Sequence, residues 1–287
     1  MKKLSNRKIV QTLAALAMVT AGSTSFAAST WDLLALCAAD GTGLVSSCSG
    51  SGSGAPTTTL TSATGLSTGT GAVGSTTSGS TFASAAIYEY SSGIGVVAVN
   101  EDHNTTGPHA ADNQYGNDAT VFKFGAAVNL TSLSIGWNGT DNATGAYTDS
   151  DISVLAWTGT GTPTLAGANQ ALTGWTLIGN LSNVGASNGA TAGGTAGFAS
   201  ANAASAIYSS YWLIGAYNSA YGGGTTGDNS VDAFKLLSFS GNTCTATGGV
   251  TNNHCGGNKV PEPGSLALFG LGLVGLVASR RRKQTSI

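Results

Sequence analysis

The stretch VNLTSLSIGW, residues 128–137, alternates apolar and polar side chains with a period of two. Val128, Leu130, Leu133 and Ile135 fall nearly on one face, and the break in phase after Leu130 predicts a β-bulge. The same signal recurs on both sides of it. VFKF (121–124) alternates, and IGVVAV (94–99), ISVLAW (152–157), WTLIGNL (175–181), YWLIGAY (211–217) and AFKLLSF (233–239) are short apolar runs separated by Gly, Asn and Asp clusters. Residues 82–90 read as an eighth strand or a short helix. With no long amphipathic helix pattern, these runs predict an all-β fold, a β-sandwich of jelly-roll-like type.

Two segments differ from this body. At the N-terminus Lys2, Lys3, Arg7 and Lys8 precede an apolar stretch from Ile9 to Ala21, and Ser25-Phe26-Ala27 places small residues where a signal peptidase reads. Residues 1–27 are therefore expected to be a secretory signal peptide, cut after Ala27, leaving an exported body over 28–258. Within that body WDLLALCAADG, from Trp31, suggests a short helix. Residues 49–80 are rich in Ser, Thr and Gly and read either as a flexible linker or as weak edge strands such as Thr57–Leu60.

Charge narrows the function classes. Between Ala28 and Lys259 there are three lysines, no arginine and twelve acids, a formal charge of −9. Nucleic-acid binding needs clustered Lys and Arg to neutralise phosphates, so that class is excluded. The 43 glycines are about twice the ordinary share and fit an extracellular β-protein with many turns.

Four cysteines form two Cys-x10-Cys pairs, Cys37 with Cys48 and Cys244 with Cys255. Export permits disulfides. Four cysteines allow three connectivities. Local pairing is favoured, and the alternative would link the two ends of the domain. No Cys-x2-Cys is present and only His254 lies near the second pair, which argues against a zinc site.

The C-terminal segment, 259–287, has three parts. Val260-Pro261-Glu262-Pro263 forms a turn, an apolar run of fourteen residues follows from Ser265 to Ala278, and Arg280, Arg281, Arg282 and Lys283 close it. As a helix the run would span about 21 Å at about 1.5 Å per residue, against a hydrocarbon core of about 30 Å. It is a marginal permanent anchor, and Gly270, Gly272 and Gly275 weaken it further. The basic end would stay cytoplasmic. An exported body, a boundary turn, a short transmembrane helix and a basic stop together make the architecture of a sorting signal.

These parts resemble the PEP-CTERM sorting domain. That resemblance implies recognition at Pro261-Glu262-Pro263 by an exosortase, a membrane-embedded transpeptidase-like enzyme of Gram-negative bacteria. It also implies an inner-membrane sorting intermediate, removal of the tail, and delivery to the cell surface or the extracellular exopolysaccharide matrix. GPHAADN (107–113), VFKF and DSDISVLAWTGTG (149–161) are in turn similar to one branch of exosortase-dependent surface proteins, which implies a surface body without an established activity.

Candidate sites in the body are few. Asn100 to Asp118 is its densest polar stretch. Glu101, Asp102 and Asp112, with Asp149 and Asp151 of the later Asp-x-Asp, are hard oxygen ligands suited to calcium, although a solvated loop is the simpler reading. His103 and His109 lack assignable third and fourth ligands for a transition metal. No carboxylate pair marks a glycosidase. No Gly-x-Ser-x-Gly elbow lies in a convincing strand-turn-helix setting, and the GSGSG at 50–54 is low-complexity sequence. Trp137, Trp157, Trp175, Tyr211 and Trp212 offer faces for sugar stacking, but core packing is the default for each. Tyr147, Tyr217 and Tyr221 lie near Gly-rich turns. The expectation is a non-catalytic surface or biofilm-matrix protein, with a carbohydrate-binding module for exopolysaccharide as the alternative and a secreted hydrolase behind it.

Overall fold

A computed structural model describes residues 28–54, 57–69, 81–98, 109–113, 116–139, 150–165, 172–185, 193–198, 206–223, 231–244 and 249–255. The signal-peptide and sorting segments fall outside these residues. The chain order is β1 (Ser29–Asp32), a single helical turn (Leu33–Leu36), β2 (Cys37–Ala39), β3 (Val45–Cys48), β4 (Gly50–Ser51), β5 (Thr59–Ser67), β6 (Ala83–Tyr90), β7 (Gly93–Val97) and β8 (Ala111–Asp112). Then come β9 (Asp118–Asn138), β10 (Ile152–Trp157), β11 (Trp175–Leu181), β12 (Gly194–Gly197), β13 (Ser209–Ala216), a 3-10 turn (Ser219–Tyr221), β14 (Ala233–Thr243), β15 (Val250–Thr251) and β16 (His254–Cys255).

The protein is all-β, but its main sheet is not divided into the two layers expected of a sandwich. Among the described residues twelve strands form one sheet in the order β1-β14-β7-β6-β5-β9-β13-β10-β11, with β4, β8 and β12 on side branches. A further pairing of β14 with β9 closes a circuit through β7, β6 and β5, so the sheet curls into a barrel-like form. The reason lies in β9. VFKF and VNLTSLSIGW are not separate strands but one strand of 21 residues. Its first half pairs with β5 and β13, and its second half with β14 and β12. A strand that changes neighbours partway along carries the sheet around a corner, and bulges supply the bend.

The bulge expected after Leu130 is present. Ser240 pairs with Ser132 and Gly241 with Leu130, leaving Thr131 as the extra residue. A second bulge leaves Gly136 extra between Ile135 and Trp137. The first bulge restores the phase, so that Val128, Leu130, Leu133 and Ile135 all enter the core. At Gly136 any Cβ would run into the Ser92 carbonyl oxygen, so glycine is required by close backbone approach.

The core is aromatic at its centre. Trp31 meets Phe124 edge-on at 5.1 Å, and Phe239 contacts Phe122 at 4.8 Å and Phe124 at 5.7 Å. Such pairs contribute about 0.5–1.5 kcal/mol each beyond area burial. The Trp31 indole N–H donates to the Thr58 carbonyl at 3.0 Å, so its one polar atom is satisfied inside the core. The opposite face of the β5-β9-β13-β10 region holds a second cluster, Leu66, Phe82, Ala119, Val121, Leu155, Leu172 and Leu213, against which Trp175, Tyr211 and Tyr221 pack.

Within the Ser/Thr/Gly-rich segment, β5 is an interior strand between β6 and β9, not a rim strand. Its strand character was hidden in the sequence because Thr, Ser and Ala supply most of its side chains. Residues 82–90 form a strand, and WDLLALC supplies one helical turn whose N-cap, Asp32, accepts from the Leu34 N–H. Both disulfides are local. Cys37 and Cys48 are register partners across β2 and β3, and Cys244 joins Cys255.

Candidate functional site

The second disulfide braces one wall of a groove. Val250–Cys255 is a hairpin with a two-residue loop, Asn252-Asn253, at φ of +49° and +62°. Both loop residues at positive φ define the tight hairpin turn whose twist matches its strands, and asparagine tolerates that region. The hairpin tip is tied to the main sheet. Asn253 donates through Nδ2 to the Trp157 carbonyl at 3.1 Å and accepts from the Tyr208 N–H at 2.7 Å. Burial pushes the Tyr208 phenol up.

The facing wall is the chain leaving β10. The N–H groups of Thr158 and Gly159 both donate to the Gly174 carbonyl, at 2.9 and 3.0 Å, and the Trp157 indole N–H donates to the Gly161 carbonyl at 3.0 Å. Between the walls lies an open groove of about 520 Å³ lined by Thr158, Gly159, Thr160, Ile207, Asn252, Asn253 and His254. His254 Nδ1 lies 3.2 Å from the Ala206 carbonyl. A carbonyl only accepts, so Nδ1 carries the proton and Nε2 of the neutral ring is an acceptor. Sequence reasoning missed this groove. Its one local signal was the Asn-Asn pair inside the second Cys-x10-Cys loop. The approach of residues 158–160 from a distant part of the chain has no sequence signature.

The expected calcium ligands are dispersed across the boundary of the described residues. Glu101, Asp102 and Asp149 lie outside them. Asp112 and Asp151 are both buried, at the end of the sheet where β8, β10 and β14 meet. Asp232, not singled out by sequence, joins them. It accepts from the Asp151 N–H at 2.8 Å and from Asn113 Nδ2 at 2.7 Å, while Asp151 accepts from the Asn183 N–H at 2.8 Å. Among the described residues no three His, Cys, Asp or Glu side chains are placed to hold a metal ion. The Asp151 and Asp232 carboxylates act as backbone and amide acceptors that tie strand ends together.

The aromatic candidates separate by burial. Trp212 is wholly buried and donates to the Ser209 and Val128 carbonyls. Trp157 and Trp175 meet edge-on at 5.6 Å. Trp137 faces the Lys235 ammonium and Tyr211 that of Lys123. Tyr221 packs on the second cluster, Tyr217 is partly buried, and Tyr147 lies outside the described residues. Among the described residues no helix is long and apolar enough to cross a membrane.

Fold and groove together define a disulfide-braced β-protein with an open polar cleft. Its C-terminal segment assigns it further: residues 259–283 match the PEP-CTERM protein-sorting motif, so the chain carries that signal at the end of its sequence. The matched span includes Val260-Pro261-Glu262-Pro263 and Arg280 to Lys283. The motif implies processing by an exosortase, with export and membrane-associated sorting toward the cell surface. No curated protein and no solved structure matches the chain.

Proposed function

We propose that this protein is a non-catalytic component of the cell surface or extracellular matrix of a Gram-negative bacterium, sorted by an exosortase. The observation that carries this reading is the motif match at 259–283. Pro261-Glu262-Pro263 is the recognition element, residues 265–278 hold the chain briefly in the inner membrane, and Arg280 to Lys283 keep its end cytoplasmic. Residues 1–27 direct export and are removed by signal peptidase. Two disulfides suit a body that works in an oxidising compartment.

The test is intact mass and C-terminal sequencing of the protein recovered from its host, with and without the exosortase. The expected product ends near Pro261-Glu262-Pro263 in the exosortase-bearing strain alone. A chain still ending at Ile287 in both strains would overturn the sorting role. The alternative function, carbohydrate binding within the matrix, draws support from the polar groove.

A further inference from the structure

We propose that the groove between residues 158–160 and the Asn252-Asn253 hairpin tip binds a neutral saccharide. Its volume of about 520 Å³ lies within the range of about 300–1,000 Å³ typical of ligand sites. Its lining identifies the ligand class. Thr160 supplies a hydroxyl, Asn252 an amide with both donors and an acceptor, and His254 an acceptor at Nε2. A sugar hydroxyl both donates and accepts, so a mixed set of this kind matches a diol. Ile207 adds an apolar surface for the C–H face of a ring.

Among the described residues the lining contains no Lys, Arg, Asp or Glu. A phosphate, sulfate or uronate would lose its hydration there without gaining an ionic partner. The formal charge of −9 between Ala28 and Lys259 disfavours anions further. The walls are also held in place before any ligand arrives. Cys244–Cys255 closes the base of the hairpin, Asn253 clamps its tip to Trp157 and Tyr208, and Gly174 holds the opposite wall. Preorganisation of this kind lowers the ordering cost of binding. The inference deepens the matrix reading by naming the site through which the sorted protein would hold its surroundings.

The test is affinity electrophoresis of the protein recovered from its host, in gels containing dextran, mannan, laminarin or galactan, with alginate as the charged comparison. The wild-type protein is expected to be retarded by at least one neutral polysaccharide and not by alginate. Asn252→Gly keeps the positive-φ turn and removes the amide, and His254→Ala removes the imidazole. Each is expected to weaken retardation about tenfold, the order expected from one lost hydrogen bond, with an unchanged melting curve. Absence of retardation in every neutral gel, retardation by alginate alone, or variants that run as wild type would each overturn the assignment. Surface fractionation of the same preparation keeps the two proposals apart. Correct sorting without binding removes the groove's role only, and binding by a chain that keeps its tail removes the sorting role only.

Discussion

The ammonium of Lys235 lies 4.0 Å from the centre of the Tyr90 ring, and the Trp137 ring takes its other contact at 4.6 Å. Half-buried on β14, this lysine is held by aromatic faces. Burial lowers its pKa below the usual lysine value, while attraction to two ring faces works against that shift.

Lys235→Met keeps the stem and removes the charge. The folded lysine releases its proton at lower pH than the unfolded one, so between those two values the unfolded chain binds more protons and wild-type stability rises with pH. Wild type is therefore expected to gain on Lys235→Met as pH climbs toward about 10.4. Paired chemical denaturation at pH 7 and pH 10 checks this, and a constant difference would refute it.

Trp31→Ala empties the centre of the aromatic core and leaves the Thr58 carbonyl without its indole donor. A loss of about 3–5 kcal/mol is expected, read as a large drop in melting temperature. Trp31→Phe should cost less, because most of the ring volume remains.

Gly136→Ala tests the second bulge. The added methyl collides with the Ser92 carbonyl oxygen, so β6–β7 must shift away from β9. The expected cost is about 1–3 kcal/mol, with faster amide exchange at Ser92 and Gly93 than at Ile152.

The two disulfides should behave differently. Cys37 and Cys48 are buried in the main core, whereas the Cys244–Cys255 hairpin stands at the groove. Replacing the first pair by serine is expected to cost about 2–5 kcal/mol of global stability. Replacing the second should lower the global melting temperature less and increase amide exchange at Asn253 and His254.

Asp40 shapes the turn between β2 and β3. Its carboxylate accepts from the Thr42 hydroxyl at 2.6 Å and from the N–H groups of Thr42 and Leu44 at 2.8 and 3.1 Å. The Thr42 hydroxyl first, then its N–H, holds the carboxyl below the usual aspartate range. A depressed folded pKa means that the stabilisation is present above about pH 4 and is lost as pH falls through the lower, folded value. Amide exchange at Thr42 and Leu44 should rise on acidification, and Asp40→Ala should remove that dependence.

The sequence by itself determined the all-β class, the bulge after Leu130, the bounds of β10 and β11 and the sorting motif. Each is written in local periodicity or in a contiguous run of residues, which need no knowledge of distant partners. It favoured local cysteine pairing among three connectivities without fixing it, and offered two readings of residues 49–80. Only the tertiary structure decided these, because β5 is built from small polar residues and is a strand through its pairing with β6 and β9. The joining of two apparent strands into β9, the closure of the sheet through β14, and the meeting of residues 158–160 with Asn252 to His254 also depend on long-range pairing. Side-chain period marks which face of a strand is buried. It carries no information about which strand lies beside it, and that choice places the groove.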